Sequence, residues 1–363
     1  MEQRKFSRRK STKVTVGKIT IGGDAPISVQ SMTNVALDNL PKVVEQILRI
    51  EAAGGEIVRL AAPSIKDAKL LGELRRMLLQ RGSTIPLVAD VHFNAAIALE
   101  AALHVDKVRI NPGNWGDRAR FAELLEICRE RKVALRIGVN HGSLSPEIVE
   151  KYGNTPLGMV QSALEFLRLA AAKDFDQVVV SFKSSNSRTM VEAYRLGVEM
   201  MDSEGFTAPL HLGVTEAGEG IEGRMKSAVG IGALLLDGLG DTIRVSLSEP
   251  PENEIPAGFE ILQASRARIT KSEIISCPTC GRTLYDLQSA IKEIKERFKD
   301  TQGLKIAVMG CVVNGPGEMG DADYGYVGSG RGVVTLYKDG KPVEKNIPET
   351  QAIDRLEKLI NQR

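Results

Sequence analysis

The chain has 363 residues, 42% of them apolar and 26% charged, which suits a well-cored globular protein of two to three domains, or one large barrel plus a small domain. Lys and Arg number 48 against 46 Asp and Glu, a formal net charge of +2; that near-balance excludes a globally basic nucleic-acid coat but leaves room for a local anion site. No apolar run is long enough to cross a bilayer, and no apolar segment follows the charged stretch Met1 to Lys10 to make it a secretory signal. Four Cys in a chain of this length do not make a disulfide framework. The expectation is a cytoplasmic protein that binds neither membrane nor nucleic acid, with Cys available for metal or redox work.

In chain order, the first 265 or so residues repeat one pattern: a short β-branched run, a polar loop, then an amphipathic stretch. Strands are predicted at Ile27–Ser31, Ile57–Ala61, Pro86–Asp90, Lys107–Asn111, Ala134–Val139, Gln177–Phe182, Pro209–Val214 and Thr242–Leu247. Helices are predicted between them, as at Pro41–Ala53, Ile65–Gln80, Arg118–Arg131, Pro156–Ala172, Ser187–Ser203 and Arg224–Leu236, with Asn39 and Ser187 as candidate caps. Eight strand–helix units fit a parallel (β/α)8 TIM barrel better than an open doubly wound sheet. An open sheet would want a Gly-rich dinucleotide loop after its first strand, whereas Gly22-Gly23-Asp24 precedes it.

After Pro250-Pro251 the rhythm changes. A helix is expected over Glu252–Arg268, then the turn Cys277-Pro278-Thr279-Cys280-Gly281, a helix at Tyr285–Lys299 and a strand at Lys305–Met309. A strand pair at Gly332–Tyr337 and Val343–Asn346 and a last helix over Pro348–Ile360 complete a small α/β domain. The boundary is set at 268, giving a barrel over 1–267 and a second domain over 268–363.

Arg59, Arg109, Arg136 and Arg244 each lie inside a predicted strand between branched apolar neighbours, as in Val108-Arg109-Ile110. Alternation that sends those neighbours to the helix layer turns the Arg into the barrel. A buried guanidinium is costly unless an anion answers it. The two readings are internal pairs with carboxylates such as Asp90 and Glu216, or a polyanionic ligand, a diphosphate, held at the C-terminal mouth by forked donors. Asn111, Asn140, Ser184 and Ser185 add amide and hydroxyl groups in the loops after the strands, and Lys183 adds a charge. Glu216 follows the seventh strand and is expected to be ionised beside Arg, serving as an Arg partner or in proton transfer. His92, His104, His141 and His211 are read as hydrogen-bonded structural residues, and Cys128 as a small core residue.

Cys277, Cys280 and Cys311 form the sharper signal. A Cys-x-x-Cys pair grips one metal centre, and no His follows His211 to complete a usual zinc site. Three thiolates suit a [4Fe–4S] cluster with one distinctive iron, for which Glu318, seven residues past Cys311, is a candidate oxygen ligand. A structural zinc remains the alternative.

Several segments resemble the 4-hydroxy-3-methylbut-2-enyl diphosphate synthase family, the iron–sulfur enzymes of the methylerythritol phosphate route to isoprenoids. They include Ile27-Ser28-Val29-Gln30-Ser31-Met32-Thr33-Asn34, Arg109-Ile110-Asn111-Pro112-Gly113-Asn114, Gly240-Asp241-Thr242-Ile243-Arg244-Val245-Ser246-Leu247, Cys277-Pro278-Thr279-Cys280-Gly281-Arg282 and Gly310-Cys311-Val312-Val313-Asn314-Gly315-Pro316-Gly317-Glu318. The resemblance implies reductive ring opening and dehydration of 2-C-methyl-D-erythritol 2,4-cyclodiphosphate, with two electrons delivered singly by flavodoxin or ferredoxin. It implies a [4Fe–4S] cluster on Cys277, Cys280, Cys311 and Glu318. It also implies a homodimer in which the barrel of one chain faces the cluster domain of the other. With the reading above, Arg59, Arg109, Arg136, Arg244 and Lys183 would hold the substrate, Asn111, Asn140, Ser184 and Ser246 would orient it, and Glu216, supported by Asp90, would handle a proton. The chain departs from the family after Thr33-Asn34, where Val35-Ala36-Leu37 stands in place of the frequent Thr and Asp. The loops around Glu216 and Pro250-Pro251 resemble the branch with an extra middle domain, as in plastids, yet only 25 residues lie between Pro251 and Cys277, too few for that domain. The basic run from Arg4 to Lys13 is read as a solvated tail, with docking of an acidic electron carrier as the alternative.

Overall fold

A computed structural model describes residues 7–362 except 93 and 314. The chain divides into two compact units between residues 268 and 269.

The first unit begins with a hairpin, β1 (Val14–Val16) and β2 (Ile19–Ile21). Eight parallel strands follow: β3 (Ser28–Met32), β4 (Ile57–Ala61), β5 (Leu87–Asp90), β6 (Lys107–Ile110), β7 (Ala134–Asn140), β8 (Val178–Lys183), β9 (His211–Leu212) and β10 (Thr242–Ile243). They hydrogen-bond in the order β8-β7-β6-β5-β4-β3-β10-β9, and one parallel bridge, Val180 to Leu210, closes the ring. The surrounding helices are α1 (Leu40–Ala52), α2 (Ile65–Gln80), α3 (Ala95–Ala101), α4 (Arg118–Arg131), α5 (Pro146–Tyr152), α6 (Pro156–Ala171), α7 (Ser187–Ser203), α8 (Gly220–Leu236) and α9 (Glu254–Ala264). This is the (β/α)8 TIM barrel that the repeating pattern predicts.

Local chemistry sets the helix starts. Asn39 accepts from the Lys42 amide at 3.3 Å with Pro41 in the first turn. The cap of α7 is Asn186 rather than Ser187, because its short amide side chain accepts from both Arg188 N at 2.9 Å and Thr189 N at 3.2 Å. β9 and β10 pair over only two residues each, shorter than expected, since the chain leaves the ladder there for the loop bearing Glu216 and the loop that leads to Glu254.

Two apolar layers fix which side chains face inward. Val58, Leu60, Val108, Ile110, Leu135, Ile137, Ile243 and Val245 are buried against the helices, so the Arg between them turns to the interior. Ile57, Val88, Ala134 and Val179 instead meet Val14, Val16 and Ile21 of the hairpin, which stoppers the N-terminal end of the barrel. Among the described residues, this leaves the C-terminal mouth as the open end of the polar interior.

In the second unit, β11 (Glu273–Ser276), β12 (Lys305–Met309), β13 (Tyr324–Gly330), β14 (Val333–Lys338) and β15 (Lys341–Pro348) form one sheet in that order. β11, β12 and β13 are parallel, and the last three strands are antiparallel. α10 (Leu287–Arg297) and α12 (Glu349–Asn361) cover one face through Leu287, Ile294, Leu356 and Ile360. A short helix, α11 (Gly315–Glu318), lies between β12 and β13. Among the described residues no helix is long and apolar enough to cross a membrane.

Candidate active site

Strand alternation brings Arg59, Arg109, Arg136, Lys183 and Arg244 into the barrel, together with Lys107, one pleat below Arg109 on β6. Asp90, at the end of β5, is only 7% exposed and answers two of them: its Oδ1 lies 2.9 Å from Arg109 Nη1 and its Oδ2 lies 3.5 Å from Arg59 Nη2. Burial alone would raise the Asp90 carboxyl, but Arg59 and Arg109 override it and hold it well below the usual carboxylate range. Arg244 forks onto Glu254, with Nη2 at 3.0 Å from Oε1 and Nε at 3.1 Å from Oε2. Glu254 also accepts from Ser31 Oγ at 2.7 Å and Leu247 N at 3.1 Å, so its buried oxygens are fully used.

The remaining cations have no such answer. Arg136 is completely buried; its Nε donates to Ser181 Oγ at 3.0 Å, while Nη1 and Nη2 have no partner. Burial, reinforced by Arg59 and Arg109, pushes its guanidinium well below the usual range. Burial, with Arg136, Arg59, Arg244 and Arg109 around it, does the same to Lys183. Lys107 is pushed down to about 7 by burial and by Arg136, and its Nζ is also unpartnered. Among the described residues, the carboxylates ion-paired with these six basic side chains are Asp90 and Glu254, and Asp106 acts on Lys107 without a direct contact. Orphaned buried donors in a native interior are answered by water or a bound acceptor. An interior with this excess of positive charge selects a multiply charged anion.

Asn111 is held locally, donating to Ser143 Oγ at 2.8 Å and accepting from Gly113 N at 3.2 Å. Ser184 is buried and accepts from Asn186 N at 3.1 Å. Asn140 ends β7 and Ser246 follows β10, both half-buried at the mouth. Glu216 is exposed, on a left-handed backbone (φ 54°) in the loop after β9. The carboxylates that pair with the interior Arg are thus Asp90 and Glu254, and Glu216 is not among them. Its αL conformation is uncommon for a residue with a Cβ.

His92 Nε2 lies 2.7 Å from Arg109 Nη1, and His141 Nε2 lies 3.1 Å from the Asn154 carbonyl. His211, by contrast with the expectation, is fully buried with neither ring nitrogen bonded; burial, with Arg136 and Lys183 nearby, keeps it neutral. Cys128 is a buried core residue whose thiol burial pushes up to about 12. At the N-terminus, Arg8 donates to Ala25 O at 2.7 Å and Arg9 pairs with Asp202 at 2.6 Å, so these two dock onto the barrel rather than trail in solvent. Arg4 and Lys5 lie outside the described residues.

In the second unit, β11 and β12 run parallel with Ser276 opposite Val308. The chain therefore delivers Cys277 and Cys311 from adjacent strand ends. Gly310 N donates to Cys277 Sγ at 3.2 Å, and Leu284 N donates to the Gly310 carbonyl at 3.1 Å, which ties the Cys-x-x-Cys loop to the Cys311 turn. An amide aimed at sulfur stabilises a thiolate. Gly328 allows the loops this closely, since a Cβ there would stand 2.5 Å from the Gly310 carbonyl oxygen. Cys277 and Cys311 are half-buried, Cys280 is exposed, and none is in a disulfide; Glu318 ends α11 and is exposed. Among the described residues, no three His, Cys, Asp or Glu side chains are gathered closely enough to hold a metal ion. The three thiols are of the donor type an iron–sulfur cluster takes.

Residues 11–259 match the GcpE TIM-barrel domain, and residues 273–362 match the GcpE protein C-terminal domain. The chain is 50% identical over 379 residues to a Synechococcus protein named 4-hydroxy-3-methylbut-2-en-1-yl diphosphate synthase (ferredoxin), covering 98% of this chain and 95% of that one. It is 49% identical over 378 residues to the Prochlorococcus marinus protein of the same name, covering 98% and 93%. It is also 49% identical over 376 residues to that of Gloeothece citriformis, covering 97% and 92%.

Proposed function

The chain belongs to the GcpE family, and from that premise we propose that it is a 4-hydroxy-3-methylbut-2-en-1-yl diphosphate synthase that draws its electrons from ferredoxin. Its substrate is 2-C-methyl-D-erythritol 2,4-cyclodiphosphate. With two electrons and one proton, the cyclic dianion loses water and leaves as an open diphosphate trianion. The observation that carries this reading is the barrel interior: Arg136 offers two unpartnered Nη groups beside Lys183, in an excess of buried cations that a diphosphate would answer.

Arg59, Arg109, Arg136, Lys183 and Arg244 hold the two phosphates, and Asn111, Asn140, Ser184 and Ser246 orient the carbon skeleton at the mouth. Asp90 stays ionised as the counter-charge that keeps Arg59 and Arg109 in place. Glu216, exposed at the rim, passes the proton that the departing hydroxyl takes up as water. Cys277, Cys280 and Cys311, with Glu318, would hold the [4Fe–4S] cluster; bound there, it supplies electrons one at a time and a Lewis-acidic iron. The hairpin stopper keeps bulk water from the substrate at the closed end of the barrel. A homodimer, with the barrel of one chain facing the second unit of its partner, is the assembly the family resemblance supports.

Anaerobic purification, a visible spectrum and turnover of the cyclic diphosphate with reduced ferredoxin test the proposal. The expected result is a brown protein that consumes two reduced ferredoxins per product. A colourless zinc protein without turnover would overturn it.

A further inference from the structure

The two Cys turns of the second unit are joined by more than the Gly310 amide. After Cys280 the chain bends back, with Cys280 N donating to Thr283 Oγ1 at 3.2 Å, and then runs against the Cys311 turn. There Leu284 N donates to the Gly310 carbonyl at 3.1 Å, and the Tyr285 hydroxyl donates to the Met309 carbonyl at 3.1 Å. Packing fixes the Tyr285 ring. Its centroid lies 5.4 Å from that of Tyr326, and Gly328 leaves room for it, since a Cβ there would stand 2.9 Å from Tyr285 Cδ1.

The Tyr285 bond falls on one particular peptide. The Met309 carbonyl and the Gly310 amide belong to the same planar trans unit, so they point in opposite directions. Gly310 N donates to Cys277 Sγ at 3.2 Å. A continuous chain therefore runs from the Tyr285 hydroxyl, through Met309 C=O and Gly310 N–H, to the Cys277 sulfur. The hydroxyl and peptide dipoles lie head to tail in it, each with its positive end towards the sulfur. Hydrogen bonds linked in this way strengthen one another by about 10–30% per bond. Packing on Tyr326 and Gly328 would be served equally well by Phe. Among the described residues, the bond to Met309 is what the hydroxyl adds.

We propose that Tyr285 is a positioning residue for the cluster on Cys277, and that its hydroxyl, acting through the Met309–Gly310 peptide, makes that cluster easier to reduce. The effect is electrostatic. An electron added to an iron–sulfur cluster adds negative charge that its sulfur ligands share, so a hydrogen bond donated to one of those sulfurs favours the reduced form. Tyr285 reinforces such a donor from one step further out and takes no place in the ligand set. It also holds the peptide in the orientation that aims Gly310 N–H at the sulfur.

The inference rests on the cluster reading above and does not depend on the substrate. Tyr285→Phe keeps the ring and removes the hydroxyl. Redox titration of the anaerobically purified full chain without substrate, followed by electron paramagnetic resonance of the reduced cluster, reads the midpoint potential. The variant should stay brown, and its reduction equilibrium should fall about threefold, or about 30 mV for one electron. Tyr326→Phe removes the neighbouring hydroxyl, which takes no part in the chain to Cys277, and should keep the wild-type potential. A brown Tyr285→Phe protein at the wild-type potential would overturn the assignment, as would an equal shift in Tyr326→Phe. Loss of colour in Tyr285→Phe would make the hydroxyl a part of the turn's fold and overturn it as well. A colourless wild-type chain would sink the cluster reading and this inference together.

Discussion

Arg109 Nη1 lies 2.9 Å from Asp90 Oδ1 while Arg59 Nη2 reaches the other oxygen of the same carboxylate at 3.5 Å. One buried anion therefore holds two guanidinium groups at the barrel mouth. Asp90→Asn leaves both without a counter-charge and should cost about 3–5 kcal/mol. Saturating inorganic pyrophosphate should restore part of the loss, because a ligand that binds only the folded chain stabilises it. Urea unfolding with and without pyrophosphate measures both effects; equal losses in the two would remove the anion site from the account. The pH dependence has a fixed sign. The folded Asp90 carboxyl is depressed, so its contribution is present above the unfolded value of about 4 and is lost as pH falls through the folded value.

Gly138 supports the same clamp from the backbone. Arg109 Nη2 donates to its carbonyl at 2.8 Å, and a Cβ at this position would stand 2.5 Å from Arg109 Nε. Gly138→Ala should push Arg109 away from Asp90, cost about 1–3 kcal/mol of stability and weaken cyclic diphosphate binding at least as much as Arg109→Met does. Calorimetric titration of the two variants decides it. Unchanged affinity in both would take Arg109 out of the clamp.

Much of this arrangement is legible in the sequence. The strand–helix rhythm gives the barrel, and branched apolar neighbours give the direction of Arg59, Arg109, Arg136 and Arg244, because burial of one face forces the other inward. The same alternation places Lys107 inside, two residues before Arg109, but a lysine at the start of a strand reads as a solvated edge until the hairpin stopper is seen. Glu254 is missed for a different reason. It opens α9 and pairs with Arg244 across a loop, and nothing in sequence spacing predicts that fold-back. The stopper itself is two three-residue strands around Gly17, too short for periodicity to register. Glu216 falls in the loop after the seventh barrel strand, yet its exposure is not legible in the sequence, since its turn depends on a left-handed φ that Glu gives no reason to expect.

The second unit has its own test. Cys277 Sγ accepts from Gly310 N at 3.2 Å, so Cys277→Ser removes both a thiolate and the sulfur end of that loop tie. It should abolish the brown colour and the turnover together. Glu216→Gln should keep the colour and lose turnover. Anaerobic spectra with a ferredoxin-coupled assay separate the two outcomes, and a Glu216→Gln enzyme at the wild-type rate would free that residue from proton transfer.

Lys107 gives a prediction that needs no substrate. Burial and Arg136 push its amine down to about 7, whereas an unfolded lysine titrates near 10.4. Between those values the unfolded chain holds a proton that the folded chain lacks, so stability rises with pH, at up to about 1.4 kcal/mol per unit from this group. Below pH 7 both states are protonated, and the folded chain carries the full cost of an ammonium without a partner at Nζ. Lys107→Met keeps the length and apolar bulk of the side chain and removes the charge. It should be more stable than wild type at pH 7, and the difference should shrink as pH approaches 10. Urea unfolding at pH 7, 8 and 9 gives the two slopes. Parallel slopes would mean that Lys107 is already paired in solution, and the unanswered charge assigned to the deep interior would then be absent.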